Sequence, residues 1–352
     1  MKTKQLFILA LLGLGPWGAG FHGGVSSVQA AERANDKIVL AYITAGNRAA
    51  IEPEVLTHIN YAFGTVKPSF DGVHVPRPDY LREIVAWKRE YKQLKVLLSI
   101  GGWGAGGFSE MADNDTLRKR FVRDCRRIVR EFGLDGIDLD WEYPGSSASG
   151  ITAGPRDVDN FTKLMAELRR AIGKKRLLTF ASAAWAGHID FPAVLPYVDF
   201  VNLMCYDMGR PAGDAHHSAL YPSPRARWSV VQSVEAHRKA GVPDDKIVVG
   251  VPFYGHANTT RGYSDYLSWP AIARAFPGQV YARDSVAGVP YVADTAGTML
   301  CVYDDPESLR LKCRYVQDNG LRGVMYWEYS CDDAAGTLRR TVFEALMKRN
   351  RN

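Results

Sequence analysis

Five cysteines in 352 residues are too few to staple the fold together, and their spacing is not that of a zinc site. The odd number leaves at least one thiol unpaired. Cys125 falls on the apolar stripe of a helix and Cys205 inside a strand, so Cys301, Cys313 and Cys331 are the disulfide candidates. Charge of one sign is also scarce: 44 basic residues stand against 38 acidic ones, with no run dense enough to track a phosphate backbone. Nucleic acid is therefore excluded as a first reading. There is no repeat, no low-complexity tract and no Pro- or Ser-rich linker, and after residue 30 no apolar run is long enough to cross a bilayer. The expectation is a soluble monomer without a membrane partner, long enough to bury a large core unaided.

What is present at the start is an export pattern. Lys2 and Lys4 precede the apolar stretch 6–14, and a small-residue segment ends in Val28-Gln29-Ala30, as in a signal peptide cleaved after Ala30. Residues 1–30 are thus expected to be removed, and the remainder to be secreted or periplasmic.

Eight short, β-branched apolar runs follow, at 38–43, 59–63, 96–100, 136–141, 177–181, 200–204, 247–252 and 323–327. Each is brief enough to be a strand buried on both faces. Amphipathic helices lie between several of them. Leu117, Phe121, Val122, Cys125, Ile128, Val129 and Phe132 recur at three- and four-residue steps, as do Val158, Phe161, Leu164, Met165, Leu168 and Ile172. The alternation predicts one (β/α)8 TIM barrel over residues 31–352, with a small insertion at about 256–300 between strands seven and eight.

The fourth run carries the chemistry. In Asp135-Gly136-Ile137-Asp138-Leu139-Asp140-Trp141-Glu142, side chains alternate, so Asp138, Asp140 and Glu142 share one face and Ile137, Leu139 and Trp141 the other. Helices cover the outside of a barrel, so the acids must point inward. There they raise one another's pKa, and at least one is expected to hold a proton at neutral pH. Asp135 has the opposite parity and a structural role. A hard-cation site is the rival reading, but no phosphate-cradling glycine loop accompanies the acids. No metal or cofactor is implied.

The sequence Asp135-x-x-Asp138-x-Asp140-x-Glu142 resembles the fourth-strand signature of glycoside hydrolase family 18, and the following Tyr143-Pro144-Gly145 is similar to its chitinase branch. Ser99-Ile100-Gly101-Gly102-Trp103 resembles the third-strand motif, Met204-Cys205-Tyr206-Asp207 the sixth and Gly323-Val324-Met325-Tyr326-Trp327-Glu328 the eighth. The likeness runs in order along nearly the whole chain. It implies hydrolysis of β-1,4-linked N-acetylglucosamine, in chitin or its oligosaccharides, by the substrate-assisted variant of retention. Glu142 would be the general acid and base, Asp140 the partner of the acetamido N–H, and Asp138 would share a proton with Asp140. Tyr206 and Asp207 would orient the acetamido group, Trp327 would floor the bound sugar, and Tyr42 and Met204 would complete the wall. Trp103, Trp185 and Trp228 are candidates for flanking contacts, and Ser99, Gly101 and Gly102 for close packing beneath the acids.

The alternatives are an endo-β-N-acetylglucosaminidase acting on N-glycan cores, a silent chitin-binding lectin of the same fold and, from outside the family, a metal-dependent hydrolase. Two features depart from the family pattern. Many members have an arginine after Tyr-Gly, where this chain has His256, and the next arginine is Arg261. The insertion is shorter than in chitinases with tunnel-like clefts, which implies a shallower groove. His216 and His217 read as part of a solvated loop.

Overall fold

The computed structural model describes residues 37–347; the expected signal peptide lies outside them. The strands are, in chain order, β1 (Ile38–Thr44), β2 (His58–Val66), β3 (Val73–His74), β4 (Lys95–Gly101), β5 (Gly136–Asp140), β6 (Leu177–Ala183), β7 (Phe200–Met204) and β8 (Ile247–Pro252). They continue as β9 (Tyr254–Ala257), β10 (Tyr266–Ser268), β11 (Val280–Asp284), β12 (Val289–Ala293), β13 (Met299–Val302) and β14 (Gly323–Trp327).

Eight of these are parallel and close on themselves in the order β1-β14-β8-β7-β6-β5-β4-β2, with β2 returning to β1. This is the (β/α)8 barrel expected from the alternating pattern. Its period-two alternation separates two cores. Ile38, Leu40, Tyr42, Phe200, Met204, Val248 and Met325 fill the barrel interior, whereas Val39, Ala41, Ile43, Ile137, Leu139 and Val324 pack outward against the helices.

The helix Asp115–Glu131 shows how sequence sets the outer layer. The Asn114 side chain accepts hydrogen bonds from the backbone N–H groups of Thr116 and Leu117, capping the first turn. Phe121, Val122, Cys125, Ile128 and Val129 then fall on one buried face. Each such side chain contributes roughly 1.5–3 kcal/mol by leaving water.

Between β8 and β14 lies a second, antiparallel sheet in the order β10-β9-β13-β12-β11, with the helix Trp269–Ala275. It rises beside the C-terminal ends of the barrel strands and folds over the segment after β7. His216 and His217 are consequently buried, each 1% exposed, which corrects the solvated-loop reading. Their neighbours come from the insertion: Asp284 for His216, and Tyr254 and His256 for His217.

The disulfide expectation is also corrected, since all five cysteines are buried and free. Cys301 lies in the second sheet, Cys313 in the helix Pro306–Asp318, and Cys331 beyond β14 beside the Tyr266 hydroxyl. The three belong to separately packed elements. Among the described residues no helix is long and apolar enough to cross a membrane.

The barrel's tightest approach lies under the acids. A Cβ on Gly101, whose φ is +130°, would stand 1.9 Å from the carbonyl oxygen of Asp140. On Gly102 it would meet the Phe63 ring at 2.7 Å. Gly101→Ala should therefore lower the midpoint of thermal unfolding well beyond Gly262→Ala. At Gly262, whose backbone is left-handed helical, the surroundings are open, and the substitution costs only the left-handed backbone term of about 1–2 kcal/mol.

Candidate active site

Asp138 lies in the middle of β5 with no exposure to solvent. Strand register sets Ser99 of β4 and Thr179 of β6 on either side of it. Ser99 Oγ and Tyr42 OH donate to its Oδ2 at 2.8 and 2.9 Å, while Thr179 Oγ1 and Asn202 Nδ2 donate to its Oδ1 at 2.5 and 3.1 Å. Burial pushes its pKa up, and the four donors oppose that shift. Both oxygens are thus held by donors from four surrounding strands.

Asp140 is one strand step nearer the mouth and almost fully buried. Burial raises its pKa strongly, and the charges of Glu142 and Asp138 add to the rise. Among the described residues its Oδ1 has no hydrogen-bond partner. A buried acceptor left this way is costly unless a ligand supplies the donor. Glu142 stands at the strand end, where burial raises its pKa to about 7; Asp207 adds to the rise and a hydrogen bond with Tyr143 opposes it. Its carboxyl therefore carries a proton over much of the acidic and neutral range.

Asp207 forms the opposite pole. Its backbone is in the left-handed region, at φ 59°, which non-glycine residues adopt seldom and Asp more readily than most. Burial would raise its pKa, but the close approach of His217 and the hydrogen bonds from His256 and Tyr254 outweigh this and hold it well below the usual carboxylate range. Tyr254 OH and His256 Nε2 each lie 2.6 Å from its Oδ1, His217 Nδ1 3.9 Å and Arg210 Nη1 3.8 Å. All four approach the same oxygen. His256 Nδ1 in turn faces Asp265 Oδ1 at 2.8 Å.

These groups surround a cavity of about 630 Å³, within the usual size of small-ligand sites. Glu142, Asp140, Tyr206, Asp207, Met204, Trp327 and Trp103 all line it. Trp103 and Trp185, at 64% and 53%, are among the most exposed large apolar side chains described. Tyr143, with which both make edge contacts, stands between them.

Two expectations are redirected by this geometry. Tyr42 does not line the cavity; it is buried below it, with its hydroxyl on Asp138 and its ring 5.7 Å from that of Trp327. Trp228 pins its own loop by donating to Ala184 O and Ser233 Oγ. Arg261 does not replace the arginine of the family pattern, since its nearest polar partner is Thr298.

Comparison with known proteins agrees with the geometry. Residues 32–332 match the family described as "Glycosyl hydrolases family 18". The chain belongs to this family. It is 28% identical to Chitinase A1 of Niallia circulans, covering 81% of this chain and 54% of that protein. It is 32% identical to a probable endochitinase of Caenorhabditis elegans, covering 80% of this chain and 52% of that protein. The chain thus spans about half the length of these curated relatives. Among solved structures, a family 18 N-acetylglucosaminidase from Paenibacillus barengoltzii superposes with a TM-score of 0.79 at 36% identity, covering 88% of this chain and 99% of that one.

Several site residues escaped the sequence reading. Phe63 of β2 stacks on Trp327 with centroids 5.4 Å apart, and Thr179 of β6 and Asn202 of β7 hold Asp138. Thr179 and Asn202 sit at inward-facing positions in apolar runs, a polar signal legible once parity is assigned. Phe63, Arg210, Tyr254 and Asp265 carried no comparable signal.

Selective ¹³C labelling of glutamate gives a direct check on the raised acid. The Glu142 carboxyl resonance, identified by its loss in Glu142→Gln, should titrate near pH 7. A midpoint near 4.5, that of an ordinary glutamate, would contradict this environment.

Proposed function

We propose that this protein hydrolyses β-1,4-linked N-acetylglucosamine chains, chitin or its oligosaccharides, by substrate-assisted retention. The observation that carries the reading is the pairing of a protonated carboxyl at the mouth, Glu142, with an unpartnered buried acceptor one step deeper, Asp140 Oδ1. Glu142 protonates the glycosidic oxygen. The substrate's 2-acetamido oxygen closes on the anomeric carbon, and Asp140 accepts the acetamido N–H and offsets the positive ring that forms. The glutamate, now ionised, takes the proton of the water that opens the ring with retained configuration.

Tyr206 donates to the acetamido oxygen without competing as a nucleophile, because its hydroxyl is held neutral by burial and the neighbouring acids. Trp327, backed by Phe63, gives an apolar floor for the C–H face of the sugar. Trp103 and Trp185 are placed for sugars beyond the reacting one. Names of relatives support the substrate class: two are chitinases by name, and the solved neighbour is an N-acetylglucosaminidase. That neighbour favours a second reading, release of single N-acetylglucosamine units from chain ends. Export through the signal pattern at residues 1–30 and action as a monomer complete the proposal.

Mass spectrometry of chitohexaose digests separates the readings. Dimers and trimers as first products support internal cleavage, monomers alone support the terminal mode, and glycan released only from a high-mannose glycoprotein would overturn both. Glu142→Gln should lower kcat by about 10²–10⁴-fold, the scale of a lost general acid and base. In the wild type, log kcat/KM should decline above pH about 7, because the acid loses its proton there.

A further inference from the structure

The histidine standing where many family members carry arginine changes what this part of the site can bind. A guanidinium only donates hydrogen bonds, whereas an imidazole nitrogen can offer a lone pair to a metal ion. His256 meets Asp207 through Nε2 at 2.6 Å, and its ring lies edge-on to that of His217 with centroids 4.9 Å apart. His217 is 1% exposed, and neither of its ring nitrogens has a hydrogen-bond partner among the described residues. One ligand atom each from Asp207, His217 and His256 lies within 4.8 Å of the others.

We infer that Asp207, His217 and His256 form a site for a transition-metal ion, with Zn²⁺ the fitting occupant, on the wall of the sugar-binding cavity. Two imidazoles and one carboxylate suit zinc, whereas calcium and magnesium prefer oxygen alone. With zinc bonds of about 2.0–2.2 Å, ligand atoms of a tetrahedral site stand about 3.3 Å apart. The 2.6 Å contact between His256 and Asp207 must open and the 3.9 Å separation of His217 from Asp207 must close, each by less than an ångström, while the two histidine nitrogens, within 4.8 Å of one another, close by at most about 1.5 Å.

Asp265 accepts from the other nitrogen of His256, the carboxylate–histidine–metal arrangement that orients a ligand. The proton between His256 and Asp207 leaves to solvent as the ion enters. Asp207 is 48% exposed on its side chain and lines the cavity, which provides the approach. The half-exposed head of Arg210, 3.8 Å from the same carboxylate, swings aside. A fourth position remains for water. Because the ion occupies Asp207, it inhibits hydrolysis; the inhibition, though not the binding, rests on Asp207 being a sugar contact.

The test titrates chelator-stripped, dialysed protein with ZnCl₂ against a chromophoric zinc indicator, beside His217→Phe and His256→Arg. One zinc per wild-type chain is expected, at least tenfold weaker in both variants, with no competition from equimolar Ca²⁺ or Mg²⁺. Hydrolysis of chito-oligosaccharide by the wild type should fall as zinc binds and recover with EDTA, while the variants, whatever rate they retain, should no longer respond. Absence of stoichiometric zinc, or equal binding by wild type and folded variants, overturns the site. Zinc bound without effect on hydrolysis overturns its inhibitory role. A chain that binds zinc in this pattern but never cleaves chito-oligosaccharide keeps the site and refutes the functional reading instead.

Discussion

The structure is organised around a row of carboxylates turned into the interior of a parallel barrel. Inward-pointing acids are expensive in a low-dielectric core, and the surrounding strands answer that cost unequally along the row. Asp138 at the bottom is satisfied by four donors from four different strands, so it is a fixed part of the barrel. Asp140 keeps one oxygen without a partner, and Glu142 at the mouth holds a proton near neutrality. The same strand thus grades from a fully satisfied acid to one poised for proton transfer. The gradient follows depth, because donors can converge only where the barrel closes around the side chain.

The opposite wall obeys a different logic. Asp207 is kept ionised by Tyr254, His256 and His217, all of which gather at one of its oxygens. These partners are supplied by the second sheet and by the loop it buries, so the insertion does more than enclose the groove. It sets the charge of the carboxylate facing Glu142. Two acids with opposite protonation across one cavity, each set by its own surroundings, form the electrostatic frame in which a sugar would be held.

Much of this was legible in the amino-acid sequence because it depends on local periodicity. The eight apolar runs are the eight barrel strands to within a few residues, since a strand buried on both faces has little freedom in length or composition. Parity alone placed Asp138, Asp140 and Glu142 on one face and Asp135 on the other, where it pairs with Lys88 at 2.6 Å and accepts from Val96 N–H. Small residues at Gly101 and Gly102 also read correctly, because the close approach they permit leaves no other choice.

What required the tertiary structure is everything decided by which distant segments meet. Tyr42 was read as cavity wall and instead supports Asp138, because its side chain faces the barrel interior and its hydroxyl reaches across to β5. His217 and His256 are 39 positions apart and carry no shared pattern, and only the fold of the insertion over the segment after β7 brings them together at Asp207. The three late cysteines looked pairable by proximity in sequence yet lie in separate elements. Alternation along one strand is a local property, set by backbone geometry and written directly in the order of residues. Convergence of side chains from several elements depends on barrel closure and loop packing, which no single segment encodes.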